Sequence, residues 1–171
     1  MIYLVIIGVF MAAVILFLVV RKWNSKERRH THVSRPLPFP PHDTTFEVDI
    51  PGEYVGASNE GNWLDQIATQ GFGVRGRAAF NVGNVGIWIE RAHAKSLFIP
   101  AQEVTRVRLD RQVSRGSRTK ENMIVLTCML GSTPVDLGFI ADGDDGQEMI
   151  LQACLNAGFN VDVDPTTKEQ P

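Results

Sequence analysis

The sequence predicts an N-terminal transmembrane helix followed by a mainly β domain that ends in one α-helix. Three observations predict this arrangement. Residues Ile2–Val20 contain no charged residue and no proline. From about Thr44 onward, short runs of alternating apolar and polar residues are separated by glycine, proline and asparagine. Near the C-terminus, Gln147–Asn156 places apolar residues at helical spacing.

The apolar run is long enough to cross a bilayer. At 1.5 Å per residue, a helix over Ile2–Val20 spans about 28 Å, close to the thickness of the hydrocarbon core. A cleaved signal peptide would carry positive charge before the run and a small-residue cleavage site after it, but the first basic residue is Arg21. A buried core helix would be shorter and have a polar face. We therefore predict that residues 1–22 form a retained transmembrane anchor.

The residues that follow the anchor predict its orientation. Basic residues crowd this flank, and Trp23 lies where an aromatic residue is expected at the membrane interface. Because Lys and Arg near a span stay on the cytoplasmic side, we expect a single-pass protein of the cell membrane with its N-terminus outside and its C-terminal domain in the cytoplasm. The same charges are able to attract anionic lipid headgroups. The basic residues are Arg21, Lys22, Lys26, Arg28, Arg29 and Arg35.

Charge and cysteine content narrow the class of the domain. The chain has 17 basic and 19 acidic residues, and the basic flank takes up many of the former, so the remaining domain is net negative. A nucleic-acid partner is therefore not expected, since binding to nucleic acid requires a basic face on the protein. Cys128 and Cys154 both lie in apolar runs. They are interpreted as reduced core thiols, as in a cytoplasmic domain, with a disulfide as the alternative.

Residues 23–43 are predicted to form a linker that is first basic and then proline-rich. His30 and His32 lie two residues apart, but no third metal ligand is near them, so solvated histidines are favoured over a metal site. The prolines of Arg35–Pro41 exclude a helix and favour an extended polyproline II spacer. Docking of this segment into an aromatic groove of a partner is the alternative.

The domain is predicted to begin with two strands, followed by a short helical turn or an irregular covering segment. Phe46–Ile50 alternates apolar and polar residues, Pro51-Gly52 is predicted to form a turn, and Glu53–Ser58 is the next strand candidate. The apolar positions of Trp63–Ala68 have helical spacing, with Asn62 as a candidate cap.

Gly71–Gly76 matches the dinucleotide pattern G-x-G-x-x-G letter for letter. The nucleotide site needs a strand before this pattern and a helix after it, so that the helix N-terminus meets the pyrophosphate. Here the order is reversed, because Arg77–Val82 has strand character. The glycines are therefore interpreted as the entry into a strand.

The strands continue through the middle of the chain. Gly83-Asn84 fits a two-residue hairpin turn between Gly76–Val82 and Val85–Glu90, with Val85, Ile87 and Ile89 on one face. Ala92–Lys95 is a predicted turn, Ser96–Ile99 a strand that Pro100 ends, and Thr105–Val113 a half-buried strand. Met123–Leu130 is nearly all apolar and predicts a strand covered on both faces, and Gly131-Ser132 turns the chain into Thr133–Ile140.

One amphipathic helix is predicted at Gln147–Asn156. Asp142–Gly146 resembles a calcium loop, but position twelve would be Ala153 and not glutamate, so a helix cap by Asp144 or Asp145 is favoured. Gly158 is placed to cap the C-terminus of the helix. The predicted buried stripe is Met149, Ile150, Ala153, Cys154 and Ala157.

The remaining residues define the predicted limits of the domain. Phe159–Val163 is expected to fold back onto it, and residues 164–171 are expected to form a disordered tail. The predicted β domain therefore spans residues 44–163.

Four stretches of the chain occur in a characteristic order: Tyr54–Ser58, Gly61–Asp65, Gly71–Arg77 and Leu97–Pro100. In these stretches the sequence resembles a family of actinobacterial single-span membrane proteins with a pleckstrin-homology-like (PH-like) cytoplasmic domain. The resemblance implies a PH-like antiparallel barrel or sandwich capped by the C-terminal helix. Members are often labelled transporter or export proteins, a label that fits a single span poorly.

The resemblance brings no catalytic residue, cofactor or metal, and the sequence supplies none, so we predict that the chain is not an enzyme. Phosphoinositide binders of this fold carry several basic residues after the first strand, whereas Ser58–Gly76 offers only Arg75. One basic concentration remains, and a solvated strand face and loop is the favoured interpretation of it. The alternative is a candidate face for an acidic protein partner or anionic lipid. The basic concentration comprises Arg106, Arg108, Arg111, Arg115, Arg118 and Lys120.

Topology, fold pattern and resemblance together predict a membrane-tethered PH-like module that binds or scaffolds another protein at the cytoplasmic membrane face. The alternative is an accessory subunit of a transport or export system, which predicts co-purification with a multi-span protein. Binding of anionic lipid is a third possibility.

Overall fold

The structure is a computed structural model that describes residues 11, 13–17, 33, 34, 36–110, 123–143 and 145–162. From residue 33 onward, the described residues form a curled β-sheet and one α-helix, α1 (Gly146–Asn156). The strands are β1 (Val48–Asn59), β2 (Asn62–Gln66), β3 (Gly76–Gly83), β4 (Gly86–Arg91), β5 (Leu97–Pro100), β6 (Val104–Asp110), β7 (Met123–Leu130), β8 (Thr133–Ala141) and β9 (Val161–Asp162). The predicted mainly β domain with one C-terminal helix is confirmed.

Strand β1 joins the two halves of the sheet. The strand order is β5-β4-β3-β1-β8-β7-β6-β9, and β2 pairs with β1 beside this path. The first part of β1 pairs with β3 and the second part with β8, both antiparallel. The register shifts between Tyr54 and Gly56, where Gly56 has a φ of 125° that suits glycine. This long, bent strand lets one sheet fold over its own core.

The core lies between the halves of the sheet and under α1. Its largest side chains, among them Tyr54, Phe80 and Phe139, are fully buried, and the Phe80 and Phe139 rings pack 5.2 Å apart. Strand β7 is buried on both faces, as its apolar sequence predicted, except at Met129. The predicted strands Met123–Leu130 and Thr133–Ile140 are both confirmed.

The turn predicted at Pro51-Gly52 is wrong, because both residues lie inside β1. The Pro51 carbonyl accepts a hydrogen bond from Asp142 N (2.9 Å), just past the end of β8. The nitrogen and carbonyl of a strand residue point to the same side, so the Pro51 nitrogen also lies past the end of β8, where proline is tolerated. Gly52 is needed for close packing, since a Cβ there would lie 2.2 Å from the Ile140 carbonyl oxygen. Proline and glycine are therefore both compatible with a strand at this position.

The helical turn predicted at Trp63–Ala68 is also wrong. Asn62–Gln66 is strand β2, the second arm of a hairpin whose register pairs Ser58 with Gln66. Trp63 and Leu64 are exposed, and only Ile67 of the predicted apolar face is fully buried. Gly61, with a φ of 69°, makes the tight turn between the strands. The helical spacing of apolar residues was therefore coincidental.

The hairpin between β3 and β4 is confirmed, but its turn lies one residue later than predicted. Gly83 pairs with Gly86, which leaves Asn84 and Val85 in the turn. Val85 is exposed as a result, whereas Ile87 and Ile89 are buried as predicted. A Cβ at Gly86 would lie 2.3 Å from the Ile99 carbonyl oxygen, so this glycine starts β4 against its neighbour β5.

Helix α1 and its C-terminal cap are confirmed. Gly158 has a φ of 83°, and the Phe159 N–H donates to the Cys154 carbonyl (2.9 Å). At the other end, Asp145 occupies the cap position but its side chain makes no capping hydrogen bond, so that predicted role of Asp145 is wrong. Asp144 lies outside the described residues. Of the predicted stripe, Ile150, Ala153 and Cys154 are buried, but Met149 is exposed and Leu151 is buried in its place.

Residues 33, 34 and 36–47 form a strap along the domain. Val33 is only 3% exposed and belongs to the main core, where its carbonyl accepts a hydrogen bond from Gln70 Nε2 (2.8 Å). Leu37 pairs with Phe98 of β5, and Phe46 stacks on Trp88 of β4. The predicted boundary at residue 44 stays a prediction, but Val33 and Pro36, which precede it, are buried.

The predicted anchor lies largely outside the described residues. Of this segment, Met11 and residues 13–17 are described and are helical. In the part of the chain that the structure covers, no helix is long and apolar enough to cross a membrane. The flanking residues Arg21, Lys22, Trp23, Lys26, Arg28 and Arg29 lie outside the described residues, as do His30, His32 and the tail 164–171.

Candidate functional site

A groove runs between helix α1 and the segment that enters β1. Its volume is about 450 Å³. The helix supplies most of the wall and the chain around Val48 supplies the other side. The lining residues are Glu47, Val48, Asp145, Glu148, Met149, Gln152, Ala153 and Asn156. A concave surface with an apolar floor and a few polar groups is the usual form of a binding site in a protein.

Local geometry fixes the helix beside the groove. At its start, a Cβ on Gly146 would lie 2.9 Å from the Ala141 Cβ, so only glycine lets α1 approach the end of β8 this closely. At its end, the Gly158 cap turns the chain back. The buried side of α1 packs through Ile150 and Cys154, which leaves Met149 and Gln152 facing outward. The helix that forms the groove wall is therefore packed closely on the core.

The groove carries negative charge and an exposed apolar side chain. Glu47, Asp145 and Glu148 are exposed carboxylates, and the described lining includes neither lysine nor arginine. The Gln152 amide donates to Asn156 Oδ1 (3.0 Å), so these side chains are partly ordered along the wall. Met149 is 49% exposed, and methionine adapts to varied apolar partners. This surface suits a ligand that combines positive charge with an apolar anchor.

The candidate basic face is described only at Arg106 and Arg108, since Arg111, Arg115, Arg118 and Lys120 lie outside the described residues. Both described arginines are paired with acids. Arg106 lies 3.5 Å from Glu60 and 3.9 Å from Asp162. Arg108 makes two hydrogen bonds to Asp136, of 3.1 and 2.8 Å. The role of the whole set stays a prediction, but these two charges are already offset.

The Arg108–Asp136 pair belongs to a buried polar network across β6, β7 and β8. Thr127 Oγ1 donates to Asp136 Oδ1 (2.7 Å), and the Gly61 N–H donates to Oδ2 (3.2 Å). Burial alone would raise the pKa of Asp136, but the hydrogen bonds from Arg108 and Thr127 outweigh it and hold the pKa below its usual value. The network thereby ties the tip of the β1–β2 hairpin to the sheet.

Arg91 was not predicted as a functional or structural centre. It is only 6% exposed, and its guanidinium lies 5.0 Å from the centre of the Tyr54 ring. It donates to the carbonyls of Gly71 (2.8 Å) and Lys95 (2.7 Å from Nε), and Tyr54 Oη donates to the Phe72 carbonyl (2.9 Å). The alternation of side chains along β4 could have indicated its burial, because Arg91 lies on the same face as the buried residues Ile87 and Ile89.

The Arg91 clamp explains the G-x-G-x-x-G stretch. Gly71 and Phe72 turn their carbonyl oxygens toward Arg91 and Tyr54, whereas a phosphate cradle must present N–H groups. The pattern leads from a short turn at Thr69–Gly71 into β3. The interpretation as the entry into a strand is therefore confirmed.

Both cysteines are free and buried, as predicted. Burial raises the pKa of the Cys154 thiol to about 12, and burial is also the main cause that raises the pKa of the Cys128 thiol. Such thiols stay protonated at neutral pH and react poorly. The described residues also contain no group of three or more candidate metal ligands. The absence of enzymatic activity stays a prediction.

Thiol labelling tests the burial of the cysteines. In the folded protein at pH 8, we expect alkylation of Cys128 and Cys154 to be at least about 100-fold slower than in denaturant, because neither thiol is accessible or ionised. The rates are measured by mass spectrometry of each labelled peptide. Fast labelling of either residue without unfolding would contradict the described packing.

A comparison with known protein families matches the β domain and most of its C-terminal helix. The sequence model of the family described as "Bacterial PH domain-like" matches residues 34–154. This range includes the strap from Ser34 onward, strands β1–β8 and most of α1. A search of the curated proteins finds no match to the chain.

Proposed function

Because the chain belongs to the bacterial PH domain-like family, we propose that it is a protein-binding module held at the cytoplasmic face of the cell membrane. Family membership supports a module that binds protein or lipid, and not a particular partner. The tether is supported by the sequence: Ile2–Val20 is apolar and uncharged, and basic residues follow it directly. A binding module that is tethered to the membrane would act there as a scaffold for its partner.

The groove beside α1 is the observation that carries the choice of a protein partner. It combines carboxylates at Glu47, Asp145 and Glu148 with the apolar surface of Val48, Met149 and Ala153. An extended or helical segment with basic residues around an apolar side chain complements it in both respects. An anionic lipid headgroup, in contrast, would be repelled by these carboxylates.

The described basic residues give less support to a lipid partner. Arg108 is buried against Asp136, and Arg106 lies near Glu60 and Asp162. Moving either arginine to a membrane surface would break these pairs. The accessory role in a transport or export system is not favoured by any feature of the described domain.

Charge reversal in the groove tests the proposal. In native membranes, the double variant Asp145→Lys/Glu148→Lys should lose at least about tenfold of a crosslinked partner that the unaltered chain recovers, because the groove would then repel a basic segment. Recovery is quantified by mass spectrometry after crosslinking in cells and purification of the full chain. Partners found only with the unaltered chain are the candidates.

Glu90→Lys is the matched control, since Glu90 is an exposed carboxylate on β4 outside the groove. It changes the surface charge in the same direction and should leave recovery unchanged. The proposal is wrong if no specific partner is recovered, or if groove and control variants lose it equally. Recovery of a multi-span protein would instead favour the accessory role in transport. A reporter fused to Pro171 that is active only outside the cell would refute the cytoplasmic placement.

A further inference from the structure

The strap exposes its most apolar part to solvent. From Pro36 to Pro41 the sequence holds four prolines and no charged residue. Leu37 is 54% exposed and Phe39 69%, and no large apolar side chain of the described residues is more exposed than Phe39. Pro38 between them is exposed as well, and the chain bends at Pro38 and Phe39. Aromatic side chains in such positions are enriched where proteins bind one another.

The domain holds this bend at both ends. On one side Pro36 is buried, and the Leu37 carbonyl accepts a hydrogen bond from the Phe98 N–H (2.7 Å). On the other side, the Pro41 carbonyl accepts hydrogen bonds from the N–H (3.3 Å) and the hydroxyl (2.8 Å) of Thr44. Each proline also fixes its own φ. The bend is therefore restricted before any partner arrives, which lowers the entropy that binding must remove.

The backbone of the bend decides which kind of partner fits it. Phe39 is the one residue of 38–41 that has an N–H. Among the described residues, no group donates to the carbonyls of Pro38, Phe39 or Pro40. The bend therefore offers hydrogen-bond acceptors with hardly any donors.

This imbalance argues against two kinds of contact. An added β-strand needs both donors and acceptors along its edge, and prolines interrupt that ladder. In the hydrocarbon of a membrane, the free carbonyls would stay unsatisfied at a cost in free energy. A groove lined by Trp and Tyr satisfies them instead, because the indole N–H and the phenol O–H donate and the ring faces pack on proline.

We infer that residues 37–41 are a recognition segment for a protein partner with an aromatic-lined groove, and that Phe39 is its main apolar anchor. Because the segment carries no charge, the groove is recognised by its aromatic faces and neutral donors. None of these residues lines the groove between α1 and β1. Either proposal is therefore able to fail without the other.

Photo-crosslinking from the bend tests this inference. In the full chain in native membranes, Phe39 is replaced by the photoreactive amino acid p-benzoylphenylalanine, which keeps an aromatic ring at the exposed position. We expect protein adducts whose crosslinked peptides, identified by mass spectrometry, lie among Trp and Tyr residues of the partner. Adding Pro38→Ala/Pro40→Ala to the same chain should lower the adduct yield about tenfold, because the bend loses its fixed backbone and its proline rings.

Three controls make the result specific. Leu64 on β2 is the matched position, since it is an apolar side chain 56% exposed outside the strap, and the same photoreactive residue there should not give these adducts. The groove variant Asp145→Lys/Glu148→Lys should leave the adducts from position 39 unchanged. An excess of a synthetic peptide that copies residues 36–41 should suppress them, a measurement that does not depend on the folding of any proline variant.

The other outcomes each overturn the inference. Adducts with lipid alone would assign the bend to the membrane, and adducts with this chain alone would assign it to self-association. Adducts with the same proteins at positions 39 and 64 would show nonspecific contact. The inference also fails if no adduct forms, if the partner peptides lack aromatic residues, or if neither the proline substitutions nor the competing peptide lowers the yield.

Discussion

Replacing Arg91 with methionine is expected to destabilise the domain by about 3 kcal/mol or more, a large share of the 5–15 kcal/mol typical of a domain. Methionine fills similar volume but donates no hydrogen bond. The carbonyls of Gly71 and Lys95, which Arg91 reaches in a partly buried setting, would then lose that donor. A group left unsatisfied in a buried site costs about 1–3 kcal/mol. The contact of the guanidinium with the Tyr54 ring would also be lost.

Chemical denaturation of the full chain, followed by tryptophan fluorescence, measures the loss. Arg91→Lys is the matched control: it keeps the charge but replaces a planar fork with a single ammonium, so it should recover only part of the stability. Arg75→Met, at an arginine whose side chain is 46% exposed, should change stability by less than about 1 kcal/mol. An equal effect of Arg75→Met and Arg91→Met would refute the clamp.

Substitution of Asp136 by asparagine is expected to cost about 3–5 kcal/mol. The Asp136 side chain is 4% exposed and that of Arg108 15%, so the change removes the nearer counter-charge of a largely buried cation and leaves only the longer contact with Asp110, at 3.5 Å. The double variant Arg108→Met/Asp136→Leu should recover most of the loss, since it removes both charges together. Unfolding in urea measures all three proteins. A loss below about 1 kcal/mol in the single variant would contradict the buried pair.

Acid pH supplies a second test of the Asp136 pair. Because its pKa is lower in the folded protein than in the unfolded chain, the contribution of Asp136 is fully present above about pH 4 and is lost as pH falls through the folded value. Arg77 likewise lowers the pKa of Asp142 at the surface, and acts in the same range. The difference in acid sensitivity between Asp136→Asn and the unaltered chain isolates the buried carboxylate. Equal acid sensitivity of the two proteins would contradict the lowered pKa.

Repeating patterns in the sequence predicted much of the fold. Met123–Leu130 could be predicted because continuous apolar sequence of strand length fits only a strand covered on both faces. Helix α1 was predictable for a different reason: its apolar spacing ends at Gly158, a residue suited to the positive φ of a cap. These signals are local, so no partner strand had to be known in advance.

The errors arose where tertiary contacts override local preference. Pro51-Gly52 has the sequence of a turn, but the end of β8 and the Ile140 carbonyl make the pair suitable for a strand. Asn62–Gln66 pairs with β1 and extends, although its apolar residues have helical spacing. The first contact joins segments that are far apart in the sequence. The second depends on strand pairing, which the spacing of apolar residues does not reveal.

The candidate site was less predictable than the fold. The groove joins Glu47, before β1, to Glu148 in α1, residues that are about 100 positions apart. The basic pattern around Arg106 suggested a charged face, yet the acids that pair with it come from β8, β9 and the β1–β2 turn. Sequence identifies which charges exist, whereas the fold decides which of them are already neutralised.

The burial of Val33 sets a limit on where the domain is cut from the predicted anchor for expression. A fragment that begins at residue 44 lacks a side chain that is 3% exposed and the backbone that pairs with Phe98 at the edge of the sheet. Such a fragment exposes apolar surface that the whole chain keeps from water. A start site before residue 33 retains both contacts and is the rational choice for crystallisation or NMR.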